Sequence, residues 1–128
     1  IDRTWHKDLK KCAEKNGLIF FSSPCDSDAI QGLMKLDTPL YKVASFDITD
    51  DRLISEIAKT KKPLIISTGL ASWSDIQIAI DTAKKEDNDQ IILLQCTSLY
   101  PAPVNLSNLK VLLLNGIGLI KRQCLMIC

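Results

Sequence analysis

The chain is poor in the residues that most often announce a function. Histidine occurs once, at His6, and the five cysteines (Cys12, Cys25, Cys96, Cys124, Cys128) form no C-x-x-C pair. Zinc cages need clustered Cys or His, and disulfide frameworks need an even, regularly spaced set, so neither is indicated and reduced thiols are expected. Aromatic residues make up only 5% of the chain. No charge of one sign dominates: 16 basic side chains face 15 acidic ones, a formal net charge of +1. That balance offers no broad electrostatic surface for nucleic acid or anionic lipid, so any anion must be gripped locally. No apolar run reaches the roughly 18 residues that cross a bilayer, and the first residues show no signal-peptide pattern. A soluble, cytoplasmic protein without membrane or nucleic-acid partners is the expectation. The first residue is Ile1 rather than Met, which leads us to expect an excerpt of a longer chain.

What the chain has is a rhythm. Apolar positions Leu9, Cys12 and Ala13 predict a helix over residues 4–16, with Thr4 as N-cap and Gly17 as stop. A short apolar strand follows over Leu18 to Ser23. Asp26 is placed to cap a helix whose stripe is Ala29, Ile30, Leu33, Met34 and Leu36, before a second strand from Tyr41 to Ser45. Thr49 or Asp50 opens a third helix through Leu53, Ile54, Ile57 and Ala58, and Pro63 leads into a third strand, Leu64 to Ser67. Ser72 or Ser74 caps a fourth helix with Ile76, Ile78, Ala79, Ile80 and Ala83 on its inner side, ahead of the strand Ile91 to Cys96. Strands apolar on both faces and alternating with helices are the mark of a parallel sheet covered by helices. Periodicity leaves two α/β architectures open, part of a (β/α)8 TIM barrel of about four βα units, or an open doubly wound sheet.

Each strand ends in small hydroxyl residues or carries a lone cation, and in a parallel sheet those ends gather on one rim. Lys42 lies inside a strand, where an unpaired ammonium is costly to bury and a bound phosphate or carboxylate would offset that cost. An edge-strand lysine whose head reaches water is the competing reading. Ser23, Ser67 and Ser98 fall at or just past strand ends, where hydroxyls can donate to an anion without adding charge. Any one of them could instead serve a turn or cap. Ser45 has the wrong parity to share a face with Lys42 and must lie beyond the strand end if both serve one site. Gly69 allows positive φ or a close approach. Asp47 is either an acid, base or hydroxyl acceptor, or a helix N-terminal carboxylate. Tyr100 sits on the stiff Tyr100-Pro101-Ala102-Pro103 loop over the same rim. His6, with no second histidine near it, reads as a surface or packing residue.

Four segments then resemble a known family. Gly17-Leu18-Ile19-Phe20-Phe21-Ser22-Ser23-Pro24, Pro39 to Asp50, Lys62-Pro63-Leu64-Ile65-Ile66-Ser67-Thr68-Gly69 and Cys96-Thr97-Ser98-Leu99-Tyr100-Pro101-Ala102-Pro103 are similar, in order and spacing, to motifs of the phosphoenolpyruvate-dependent sialic acid synthases. The Ser22-Ser23-Pro24 and Ala44 to Asp50 variants look more like the pseudaminate branch. The resemblance implies a (β/α)8 barrel in which phosphoenolpyruvate condenses with the open-chain aldehyde of an N-acylated hexosamine, water adds and phosphate leaves. It implies that Ser23, Lys42, Ser45, Ser67 and Ser98 surround phosphoenolpyruvate, and that Lys42, Asp47 and Tyr100 are catalytic, the last two near the acceptor. It also implies a divalent metal, Mn or Mg, whose ligands are absent from this chain, and a homodimeric parent enzyme.

Residues 1–109 read as the partial barrel domain and 110–128 as an atypical tail. Where the family has a Gly-x-Ser-Asp-His segment, this chain runs from Leu112 to Arg122 without one. A truncated or frameshifted reading frame, and an inactive fragment, are the expectations. The remaining alternative is a non-catalytic open-sheet binding or assembly module.

Overall fold

The computed structural model describes residues 2–99 and 101–111. Tyr100 and the greater part of the 110–128 tail lie outside the described residues.

The order of elements is a short 3-10 turn (Arg3–Trp5), α1 (His6–Lys15), α2 (Ser27–Lys35), β1 (Tyr41–Val43), α3 (Asp51–Ala58), β2 (Leu64–Ser67), α4 (Trp73–Lys85), β3 (Ile91–Leu94) and a second 3-10 turn (Val104–Leu106). The three strands form one parallel sheet in sequence order. Tyr41 pairs with Leu64, which pairs with Ile91, and one step on Lys42 pairs with Ile65, which pairs with Ile92. Because side chains alternate along a strand, this register sorts them cleanly. Tyr41, Val43, Leu64, Ile66, Ile91 and Leu93 join the core with Ile30 and Leu33 of α2, Ile54 and Ile57 of α3, and Ala79 and Ile80 of α4. Lys42, Ile65, Ser67, Ile92 and Leu94 therefore occupy the opposite face.

Helix boundaries follow local chemistry. Asp26 caps α2 by accepting from the Ala29 N–H, Asp50 caps α3 through Leu53, and Ser72 forms a reciprocal capping box with Asp75 on α4. The hydroxyl of Ser72 holds the Asp75 carboxyl below the usual carboxylate range. Three helices end in the same motif, in which a residue with positive φ (Gly17, Asp37 or Asp87) and its successor return their N–H groups to the last turn.

Four expectations need correction. Thr4 is not the first cap, because Asp2 accepts from the Thr4 N–H and α1 begins only at His6. The apolar face of α1 is not core: Leu9 is 44% exposed and the helix buries no residue, because no layer of the described structure lies over it. Met34 and Ile78, at the margins of their stripes, are likewise about half exposed. The segment Leu18 to Ser23 is extended but not a full strand. It makes one parallel bridge, Ser22 with Tyr41, since its other polar groups are used elsewhere: the Leu18 N–H on Ala13 and the Phe20 carbonyl by the Thr38 hydroxyl. Finally, β1 stops at Val43 and β3 at Leu94, which leaves Ser45 and Cys96 beyond the ladder.

At the end of the sheet where the strands begin, Asn88 ties three elements together. Its buried side-chain amide donates to the carbonyls of Ala58 and Lys62, and its oxygen accepts from the Gln90 N–H. Asn88→Ala would strand those carbonyls, so a loss of about 2–4 kcal/mol in urea unfolding is expected. Asp89→Ala, an exposed neighbour, should change stability by less than about 0.5 kcal/mol. Tyr41 is buried against the helices, and burial first, then Asp37, raises its phenol above its ordinary value. The native state therefore keeps the proton longer than the unfolded chain does. That contribution is complete below pH ~10 and is lost as pH rises beyond it. Unfolding at pH 9 to 11 should show the decline, and Tyr41→Phe should flatten it.

Candidate functional site

A site forms where the strands end. Lys42 occupies the middle of β1 and is half-buried on the face turned away from the helices. Its neighbours across that face are Ile65, 9% exposed, and beyond it the half-buried Ile92, with Leu94 level with Ser67 further along. Among the described residues no carboxylate or carbonyl partners its ammonium. A half-buried cation on an apolar face with no counter-charge among the described residues is placed to pair with an anion.

Ser67 shares this face. It stands two residues beyond Ile65 on β2, which puts it about 6–7 Å further along the strand axis toward the rim. It is only 3% exposed, and its hydroxyl makes no hydrogen bond to another described residue. Buried hydroxyls are nearly always paired, so an unpaired one beside an unpaired cation points to a ligand.

The remaining hydroxyls divide into two groups. Ser23 donates its proton to the Lys42 carbonyl at 2.9 Å, and the Lys42 N–H donates to the Ser22 carbonyl at 3.2 Å. Ser23 is thus a brace on the strand that carries the lysine, with its proton already engaged. This differs from the donor role expected of it. Ser45 lies past the end of β1, as its parity requires, and its oxygen accepts from the Gly69 N–H at 3.3 Å. Ser98, past β3, reaches the same place: its Oγ lies 2.6 Å from the point a Cβ on Gly69 would occupy. The structure therefore brings Ser45, Gly69 and Ser98 together at the rim, with Lys42 and Ser67 on the face below them.

Asp47 is half-buried in the turn between β1 and α3, where its N–H bonds the Ala44 carbonyl and its own carbonyl receives the Asp50 N–H. Asp50 fills the helix cap, which leaves the Asp47 carboxylate without a hydrogen-bond partner among the described residues. Tyr100 lies outside those residues. His6 packs on Phe20 with ring centroids 6.0 Å apart. No three His, Cys, Asp or Glu side chains converge in a way that would hold a metal among the described residues, so the divalent cation has no ligand set there.

One contributor escaped sequence reasoning. Thr68 sends both its N–H and its hydroxyl to the Leu94 carbonyl, at 3.1 and 2.9 Å, and so fastens the end of β2 to the end of β3. A threonine directly after the last strand residue was the available signal.

The model of the NeuB family matches residues 1–114. The chain is 43% identical over 105 residues to pseudaminic acid synthase of Helicobacter pylori, covering 82% of this chain and 31% of that protein. It is 37% identical over 112 residues to N,N'-diacetyllegionaminic acid synthase of Campylobacter jejuni, covering 86% and 34%. Among solved structures, spore coat polysaccharide biosynthesis protein SpsE of Bacillus subtilis superposes with a TM-score of 0.86 at 29% identity, over 97% of this chain and 34% of that one. The N-acetylneuraminic acid synthetase of Leptospira borgpetersenii, solved with citrate, gives 0.85 at 29% identity, over 94% and 42%. These likenesses decide the architecture: the sheet and its helices are a segment of a TIM-barrel-like fold, not an open doubly wound sheet. The chain spans about a third of the length of the curated relatives it matches.

If Lys42 is held unpaired for a ligand, it should weaken the empty protein. Lys42→Met is expected to raise the stability of the ligand-free chain by about 0.5–2 kcal/mol in urea unfolding. A loss of stability would indicate a structural partner for the ammonium.

Proposed function

This chain belongs to the NeuB family, and from that premise we propose that residues 1–109 supply the phosphoenolpyruvate-binding part of a nonulosonate synthase of the pseudaminate branch. The observation that carries the reading is a lysine and a buried hydroxyl on one face of the sheet, neither with a partner among the described residues, below a rim of two further hydroxyls. Phosphoenolpyruvate has a phosphate and a carboxylate on one three-carbon frame, and such a ligand needs one fixed cation and several neutral donors. Lys42 supplies the charge, Ser67 donates from within the sheet, and Ser45 and Ser98 donate from the rim. Ser23 keeps Lys42 in place.

In this reading the enol carbon of phosphoenolpyruvate attacks the aldehyde carbon of an N-acylated amino sugar and forms the new C–C bond. The cationic centre left at the adjacent carbon takes up water, and phosphate departs as its C–O bond breaks. Lys42 and the hydroxyls hold the anionic groups and stabilise the charge gathered on phosphate as it leaves. Asp47, whose carboxylate has no partner among the described residues, and Tyr100 are assigned to the acceptor side, where the aldehyde oxygen must gain a proton and water must lose one. No step is derived through the divalent cation, since the described residues offer it no ligands.

A sheet of three strands closes no barrel, so the described residues frame an open part of a pocket. The 128-residue chain is accordingly proposed to be inactive alone, and the homodimer and cytoplasmic setting belong to the parent enzyme.

The test is a chimera. Residues 1–109 replace the matching segment of the Helicobacter pylori pseudaminic acid synthase, and pseudaminic acid formation is followed by mass spectrometry. The chimera should form product, Lys42→Met within it should lose at least about 100-fold in rate, and the isolated chain should form none. A folded chimera that retains full activity with Met at position 42 would defeat the assignment.

A further inference from the structure

Gly69 is placed where a side chain would displace its neighbours, and the reason is not its backbone. Among the described glycines only Gly17 has a positive φ, so any L-residue could adopt the conformation at position 69. Crowding is what excludes one. A Cβ there would fall 2.6 Å from the Ser98 Oγ, 3.1 Å from the Cys96 Cβ and 3.1 Å from the Cys96 carbonyl oxygen. On its other side the Gly69 N–H donates to the Ser45 Oγ at 3.3 Å. One peptide thus touches the two rim hydroxyls, which come from loops more than 50 residues apart in the chain.

Resting on the proposed phosphoenolpyruvate site, we infer that Gly69 is a positioning residue: its N–H fixes Ser45 and its missing side chain admits Ser98, so that both hydroxyls address one anion. The hydrogen-bond logic supports this division. A serine oxygen that accepts from an N–H keeps its own proton free, so Ser45 held by Gly69 presents a donor rather than spending it. Ser23 is the contrast within the same rim, because its proton is committed to the Lys42 carbonyl. Gly69 itself is braced from behind, since the neighbouring Thr68 is bonded twice to the Leu94 carbonyl. The hydroxyl end of Ser98 is the one crowding atom that can rotate away. Adding a methyl at position 69 should therefore turn that hydroxyl out of the site while the sheet survives, with the Cys96 backbone giving by a few tenths of an ångström.

The experiment uses the full 128-residue chain, isotope-labelled for NMR, in two arms. In the first, phosphoenolpyruvate is titrated into the parent chain, Gly69→Ala, Ser98→Ala and the double variant. Each single variant should bind about 10- to 100-fold more weakly, the loss of one hydrogen bond to a charged group. The double variant should bind no more weakly than Ser98→Ala, because the methyl then has no hydroxyl to displace. Additive losses in the double variant would overturn the inference, as a general distortion of the sheet would add to the loss of a hydroxyl. The second arm needs no ligand. Ser45→Ala should raise the hydrogen-exchange rate of the Gly69 amide at least tenfold while leaving that of the Thr68 amide unchanged, and Gly69→Ala should shift the Ser98 Cβ resonance. If the parent chain bound no phosphoenolpyruvate, the site reading alone would fall. The positioning role would be upheld by the second arm if both changes were seen, and overturned if neither Gly69 exchange nor the Ser98 resonance responded.

Discussion

The parallel register across β1, β2 and β3 is the constraint on which everything else rests. With Tyr41, Leu64 and Ile91 level and Lys42, Ile65 and Ile92 level one step on, the odd-numbered side chains of β1 fall into the helix layer and its even-numbered one falls on the other side. A slip of one residue in β1 would drive the lysine into the core among Ile30, Leu33 and Ile54, where no carboxylate could meet it, and would expel Tyr41 and Val43. Packing of α2 to α4 therefore fixes the register, and the register puts the one cation of the strand on the face turned away from the helices. The pairing that stabilises the core also orients the candidate site residues, without drawing on the same side chains.

The two ends of the sheet are used differently. Where the strands begin, polar groups are tied to one another: Asn88 bonds Ala58, Lys62 and Gln90 at once, and Gln90 adds a bond to the Lys61 carbonyl. Where the strands end, polar groups are left over. Among the described residues Ser67 has no partner, Ser45 receives a bond but gives none, and the Asp47 carboxylate is unengaged. In barrels the second end is the one that carries chemistry, and unspent donors gathered there are what a ligand-binding rim requires.

Local rules made much of this legible beforehand. The cap Asp26 could be read, and those of α3 and α4 narrowed to two neighbouring residues each, because capping depends on a few adjacent residues, and the βα alternation could be read because the stripes of α2, α3 and α4 face a sheet that exists. Where the same reasoning failed, the missing information was tertiary. The stripe of α1 obeys the helical spacing, yet has no described layer to bury it, and Leu9 stays exposed. Leu18 to Ser23 looks like a strand, but Ala13 and Thr38 take polar groups at its start, and only Ser22 bridges to β1. Parity correctly required Ser45 to lie beyond its strand. Nothing local could reveal that Gly69 is crowded by Ser98, because that contact is made by two loops joined only through the fold.

The central claim is that the ammonium of Lys42 lies on the pocket face and meets an anion there. It is most directly tested by following the lysine side chains of the labelled protein by NMR as phosphoenolpyruvate is added. The account predicts a saturable shift of the Lys42 signal, with the surface pair Lys84 and Lys85 unmoved. A Lys42 signal that stayed at its solvent-exposed position throughout the titration, while other lysines moved, would contradict it.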